Sequence, residues 1–226
     1  MKVRIYFANV FKLLDVFPKA FNLLTPERKA KTLRYRKEDD RLRSLCAGLL
    51  LRRHLNVRND DDMTTDDKGR PRLKAEKPRL SISHSGSLCA LAVSDGTVGL
   101  DLEYLGREIK EDGLARRVLT PEEYAVYAQR LKDPEYFFSV WTRKESVMKA
   151  TGMGLSLDPA SIRVIPLSKE EHFVMNGKWW FQTFEVADHI FSVCGSEGPL
   201  DVNLTENDAE DLLADPDAPG NGGTSR

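Results

Sequence analysis

One stretch constrains this chain more than any other: FSVWTRKESVMKATGMGLS, residues 138–156. At about 100° per residue, Phe137, Val140, Trp141, Val147 and Met148 fall on one apolar stripe, which predicts a helix with a core-facing side. Pro134 opens it and Gly152-Met153-Gly154 ends it. Lys144 and Glu145 lie inside the stripe, and Lys149 borders it. A carboxylate or ammonium on a buried face is costly unless it is paired, metal-bound or used. Any fold this chain adopts must therefore carry charge into its interior here.

A second carboxylate pair stands upstream in VGLDLEY, residues 98–104. Val98, Leu100, Leu102 and Tyr104 alternate with Gly99, Asp101 and Glu103, the pattern of a strand. Asp101 and Glu103 share a face, roughly 7 Å apart along it, so both can reach one ion. With Glu145 they make three hard oxygen donors beside Lys144 and Lys149. That set suits Mg²⁺, which takes few carboxylates and shares a substrate phosphate. On the residues alone, the same carboxylates also suit a solvated strand face, and the lysines a charged helix face.

Net charge is −1 over 226 residues, so no global field points to nucleic acid. The charge is uneven, however. Residues 27–53 hold ten Lys/Arg against four Asp/Glu, a basic region able to take phosphate groups. Residues 201–226 hold seven Asp/Glu against Arg226 and are rich in Gly, Pro and Asp, which predicts a disordered tail whose residues 206–226 are dispensable. Cys46, Cys89 and Cys194 are far apart and odd in number, as expected of free thiols in a reducing cytosol. The N-terminal KVRIYFANV reads as a strand, and no apolar run has transmembrane length. A cytoplasmic protein with no membrane partner is expected.

Helices are predicted over Pro26–Arg34, Glu38–His54, Thr120–Arg130 and Pro134–Gly152, the third with a Thr120/Glu123 capping box. Asn59–Gly69 reads as an Asp-rich loop. Strands are predicted at Lys2–Ala8, Arg79–Ser83, Leu88–Ser94, Thr97–Tyr104, Ser161–Pro166, His172–Met175, Lys178–Val186 and His189–Ser196. Asp95-Gly96 and Asn176-Gly177 read as hairpin turns. Each half thus runs from helices to antiparallel strands. The expectation is an α+β fold of two similar, pseudo-symmetric lobes, 1–97 and 98–200, with the tail at 201–226 and a site in the cleft between lobes.

VGLDLE (98–103) and WTRKESVMKATGMGLS (141–156) resemble G-[IV]-D-[IV]-E and W-x-x-K-E-[SA]-x-x-K-x-x-G-x-G-L of the 4′-phosphopantetheinyl transferase superfamily, in its surfactin-type, two-lobed form. SISHSG (81–86) is similar to N-[IL]-S-H-S, with Ser81 for Asn. GRPRL (69–73) is similar to G-K-P, with Arg70 for Lys. TPERKAK (25–31) and DRLRSLCAG (40–48) resemble the first-lobe signature, with Arg28 where lysine is frequent.

The resemblance implies a holo-[acyl-carrier-protein] synthase. Such an enzyme moves the phosphopantetheine of coenzyme A to a serine of an apo acyl or peptidyl carrier protein and releases 3′,5′-ADP. Asp101, Glu103 and Glu145 would bind Mg²⁺, with Mn²⁺ as a substitute. Glu145 and Lys149 would be catalytic. Arg28, Lys31, Ser44, Arg70, Ser83, His84, Lys144 and Lys149 would grip coenzyme A. A monomer is expected, since one chain supplies both cleft walls. Two other readings remain: a Mg²⁺-dependent hydrolase of phosphoesters or pyrophosphates, and a non-catalytic module that binds coenzyme A or a carrier protein.

Overall fold

Strands buried on both faces must be covered on both sides, and the described residues include three such runs. Leu88–Ser94 and His189–Gly195 are buried along their whole length, and Val98–Leu102 likewise. The structure, a computed structural model, describes residues 1–67, 69–107, 112–164, 172–174 and 177–216. In chain order these form β1 (Lys2–Asn9), α1 (Phe17–Asn22), α2 (Pro26–Arg34), α3 (Glu38–Leu55), β2 (Met63–Thr65), β3 (Pro71–Leu73), β4 (Arg79–Ser85), β5 (Leu88–Ser94), β6 (Val98–Tyr104), α4 (Asp112–Val118), α5 (Pro121–Gln129), α6 (Pro134–Thr151), β7 (His172–Val174), β8 (Gly177–Val186), β9 (His189–Gly195), β10 (Asp201–Glu206) and α7 (Ala209–Leu213).

Two four-stranded sheets result, ordered β10-β1-β5-β4 and β6-β9-β8-β7, with a small β2–β3 hairpin beside them. Pairing is antiparallel except between β1 and β10. The inner faces meet in one apolar cluster that includes Val3, Ile5, Phe7, Leu100 and Phe191. Phe7 and Phe191 pack edge to face, with centroids 6.1 Å apart. On the outer faces lie two 18-residue helices. α3 covers the first sheet with Leu42, Leu45 and Leu49; α6 covers the second with Phe137, Val140 and Val147. The layers run helix, sheet, sheet, helix. The fold is α+β with antiparallel sheets and helices, as expected.

The local signals of α6 work as the sequence suggests. Asp133 caps it by accepting from Glu135 N, Pro134 opens it, and Gly152 closes it at φ 68°. The helix lies so close to β6 that a Cβ on Gly99 would stand 1.8 Å from the carbonyl oxygen of Ser146. Only glycine permits that approach, which brings the helix charges over the strand carboxylates. At α5, Thr120 and Glu123 form the expected capping box.

Four expectations are corrected. Asp95-Gly96 joins no hairpin: β5 pairs with β1 and β4, whereas β6 pairs with β9 in the other sheet. The Asn59–Gly69 segment is not simply a loop, because Met63–Thr65 pairs with Pro71–Leu73. Ser161 ends a 3₁₀ turn and 162–164 form no strand, while 165–166, Met175 and Asn176 lie outside the described residues.

The fourth concerns the acidic C-terminus. Residues 201–206 are not a tail but a strand, parallel to β1 at the edge of the first sheet. Val202 and Leu204 alternate with Asp201, Asn203 and Thr205 and pack on the inter-sheet core. Beyond them Asp208 and Asp211 form a capping box, and Leu212 is fully buried against the α3 core. Composition hid a period-two pattern and a capped helix. Among the described residues, no helix is long and apolar enough to cross a membrane.

Candidate active site

β4 and β6, the facing edges of the two sheets, share no backbone ladder. β6 pairs with β9 on one side, so its alternate N–H groups on the other side need partners. Serine hydroxyls of SISHS supply them. Leu100 N donates to Ser81 Oγ (2.9 Å), Leu102 N to Ser83 Oγ (3.4 Å) and Tyr104 N to Ser85 Oγ (3.2 Å). Serines two apart on an edge strand thus bind the next strand along its length. The sequence reading singled out Ser83 alone; the period-two serines were the available signal for Ser81 and Ser85.

Two of these hydroxyls also hold the carboxylates. Ser83 Oγ donates to Asp101 Oδ1 at 2.7 Å, and Ser85 Oγ donates to Glu103 Oε2 at 2.6 Å. Glu103 also accepts from Trp141 Nε1 at 3.3 Å and faces the exposed Arg107 at 3.6 Å. From α6, Lys149 Nζ reaches Asp101 Oδ1 at 2.6 Å and Ser83 Oγ at 2.7 Å. Ser83 therefore uses its one donor and two acceptor positions within the protein, which makes it an orienting group.

Asp101 is 5% exposed, and its Oδ2 is buried with no hydrogen-bond partner. A buried carboxylate oxygen left unsatisfied is costly. Nearby, the Glu145 carboxyl is pushed up to about 7, first by desolvation, then by Asp101; Glu103 adds to the rise and Lys149 opposes it. An orphaned oxygen beside carboxylates that repel one another fits the chemistry of a cation-binding site. Asp101, Glu103 and Glu145 have the donor chemistry for Mg²⁺. Among the described residues, however, no three His, Cys, Asp or Glu side chains converge as a finished metal cage.

The first-lobe residues divide. Arg28 and Lys31 line a cleft of about 300 Å³ walled also by Leu24, Gly48, Met63 and Pro71. Burial lowers the proton affinity of both cations, and the neighbouring Arg28 lowers that of Lys31 further. Gly48 lets α2 close on α3, since a Cβ there would meet Leu24 Cδ2 at 2.6 Å and Arg28 Cγ at 2.9 Å. His84 favours its neutral form, first by desolvation, then through Lys149 and Arg43.

Besides Ser83, three residues assigned to coenzyme A are placed otherwise. Ser44 is buried, and its hydroxyl is bonded to Thr32 Oγ1 at 2.8 Å, joining α2 to α3. Arg70 directs its guanidinium to Asp66 and to the carbonyls of Lys149 and Ala150 at the end of α6. Lys144 is fully buried and cannot meet a phosphate. Its Nζ pairs with Glu123 Oε2 at 2.6 Å and donates to the carbonyls of Val118 and Pro159. Glu123 also accepts from Thr120 N and Val164 N, so the pair binds α5, α6 and the segment after α6.

Lys144→Met is therefore expected to destabilise by about 3–5 kcal/mol, because it strands a buried carboxylate. Denaturant unfolding checks it; an unfolding free energy unchanged from the wild type would show that the Lys144–Glu123 pair does not hold these elements together.

Residues 97–194 match the family model described as 4′-phosphopantetheinyl transferase superfamily. That span holds Asp101, Glu103, Glu145 and Lys149. Similar proteins extend the likeness along the chain. The 4′-phosphopantetheinyl transferase Sfp of Bacillus subtilis (strain 168) is 29% identical over 212 residues, covering 85% of this chain and 91% of that protein. The 4′-phosphopantetheinyl transferase gsp of Aneurinibacillus migulanus is 30% identical over 147 residues, 60% of each. The 4′-phosphopantetheinyl transferase pptA of Paxillus involutus is 29% identical over 190 residues, 70% of this chain and 72% of that protein.

Proposed function

We propose, from the premise that this chain belongs to the 4′-phosphopantetheinyl transferase superfamily, that it moves the 4′-phosphopantetheine group of coenzyme A onto a serine of an acyl or peptidyl carrier protein. One observation supports the assignment of the chemistry to the β6–α6 junction. There the Asp101 carboxylate, tied to Lys149 and Ser83, keeps an orphaned oxygen beside a Glu145 that titrates near 7.

The reaction is attack by an alcohol on a pyrophosphate. The serine oxygen bonds to the phosphorus that carries pantetheine, the bridging P–O bond breaks, and 3′,5′-ADP leaves. Such a transfer needs positioning and charge neutralisation more than covalent help. Arg28 and Lys31 bring positive charge to the cleft wall that would hold the nucleotide. Lys149 carries a charge to the diphosphate, and neutral His84 offers a hydrogen bond. Glu145 would take the hydroxyl proton as the general base. Asp101, Glu103 and Glu145 would hold Mg²⁺, or Mn²⁺ in its place, which would neutralise diphosphate charge when bound. One chain supplies every group named, so the monomer is the working unit, acting in the cytoplasm on soluble partners.

Mass spectrometry of a panel of apo carrier proteins, incubated with coenzyme A and Mg²⁺, tests the reading. A phosphopantetheine mass gain on a carrier, abolished by chelator and restored by Mg²⁺ or Mn²⁺, is expected. No gain on any carrier, or coenzyme A consumed without one, would sink it.

A further inference from the structure

We propose that Arg70 is a positioning residue: a latch through which the β2–β3 hairpin holds the last turn of α6, and with it Lys149, against Asp101. The proposal deepens the transfer reading above and rests on it for the consequence in turnover. The latch itself is a matter of geometry.

The hairpin connects β2 to β3, and its Met63, Thr64, Thr65, Gly69 and Pro71 form one wall of the 300 Å³ cleft. Arg70 lies between Gly69 and Pro71 in sequence but lines a separate cavity of about 160 Å³ that Ala150 also lines, and its guanidinium reaches across to the end of α6. Asp66 fixes it at two points: Oδ1 accepts from Arg70 N at 2.9 Å, and Oδ2 accepts from Arg70 Nε at 3.1 Å. The same Oδ2 accepts from Arg72 Nη2 at 3.1 Å. Held so, Arg70 Nη1 donates to Lys149 O at 2.9 Å and also to Ala150 O.

The end of a helix leaves carbonyls without partners and a partial negative charge, which a guanidinium satisfies on both counts. Lys149 is thereby gripped at both ends. Its carbonyl is held by Arg70 and its Nζ by Asp101 and Ser83. Gly152 makes room for this contact. A Cβ there would stand 3.2 Å from Asp66 Oδ2 and 3.5 Å from Arg70 Cζ, on a backbone at φ 68° that side chains rarely adopt. Two separate features, the Asp66-fixed fork and the glycine it abuts, thus serve one contact. A lysine at position 70 has no planar fork and cannot engage Asp66 and the two carbonyls together.

The test compares Arg70→Ala, Arg70→Lys and Asp66→Asn with the wild type. Three quantities are read: kcat and KM for coenzyme A in carrier transfer, calorimetric affinity for 3′,5′-ADP, and amide hydrogen exchange over residues 150–154. The latch predicts that Arg70→Ala and Asp66→Asn both lower kcat about tenfold or more, or roughly 1.4 kcal/mol. KM and 3′,5′-ADP affinity should stay within about threefold, and exchange at 150–154 should quicken. Arg70→Lys should recover part of kcat and part of the protection. A loss of 3′,5′-ADP affinity on Arg70→Ala with kcat and exchange unchanged would overturn the latch and make Arg70 a phosphate ligand. Unchanged exchange in Asp66→Asn would also overturn it, and this variant keeps the arginine if Arg70→Ala fails to fold. Exchange needs no turnover. If the wild type transfers nothing, the transfer reading fails while the exchange data still decide the latch.

Discussion

Glu145→Gln is expected to lower the transfer rate by about 10²-fold or more, the scale for losing a general base, while the apo protein becomes more stable above neutral pH. The two effects have one origin. In the folded chain Glu145 holds its proton up to about pH 7, against an ordinary value of 4.5, because charging it in a partly desolvated site beside Asp101 and Glu103 is unfavourable. Below about pH 4.5 the carboxyl is protonated in both folded and unfolded chains, and glutamine imitates it. Between 4.5 and 7 the unfolded chain releases the proton and the folded chain keeps it, so wild-type stability falls as pH rises. Above 7 the penalty is complete.

The variant avoids that loss. At pH 8 it should exceed the wild type by about 1–2 kcal/mol, a full shift of roughly 2.5 units being discounted for partial solvent access. The difference should vanish toward pH 4.5. Mg²⁺ at pH 8 should raise the melting temperature of the wild type more than that of Glu145→Gln, since the ion is expected to relieve the same repulsion. Parallel urea titrations at pH 4.5 and 8, with single-turnover transfer rates, measure all of this. Were Glu145 instead a structural partner of Lys149 one turn on, stability would drop at pH 8 and turnover would stay.

How much of this site could be read beforehand depended on the range of each interaction. α6 was legible because its apolar stripe, Pro134 and Gly152 are all local. β6 was legible because Asp101 and Glu103 break a strict alternation. The Thr120/Glu123 capping box was read for the same reason. What failed was decided by neighbours distant in sequence. Lys144 looked like a second phosphate lysine until its partner Glu123, 21 positions away, took it into the core. Arg70 met the end of α6 about 80 positions on. Asp95-Gly96 carries the chemistry of a hairpin turn, but β5 already had a neighbour on each side, so β6 had to start the other sheet. The serine seam was half visible: the period of SISHS gave the spacing, and only the sheet edges gave the partner.

Truncation shows most sharply how composition misled. Removing residues 201–226 is expected to cost most of the stability of the chain, about 5–15 kcal/mol for an ordinary domain. Four losses combine. Without β10 the whole length of β1 becomes an open edge, unpaired and prone to association. Without α7 the fully buried Leu212 leaves a hole beside α3. His54 also loses Asn207 Oδ1, which it meets at 2.6 Å while its ring stacks on Tyr6 with centroids 3.5 Å apart. Arg52 and Arg53 lose the carbonyls of Ala214 and Asp215.

Graded cuts separate these terms. Leu212→Ala should cost about 2–4 kcal/mol. A chain ending at Glu206 keeps the strand and should melt lower by an amount close to or above that of Leu212→Ala. A chain ending at Leu200 should melt at least about 10 °C lower and should aggregate on concentration. Because Asp101, Glu103, Glu145 and Lys149 all lie outside the removed segment, whatever fraction of the longer truncation folds should still transfer phosphopantetheine. A chain ending at Leu200 that melts within about 2 °C of the full length, a change under roughly 1 kcal/mol, would show that β10 and α7 do not hold the first sheet together.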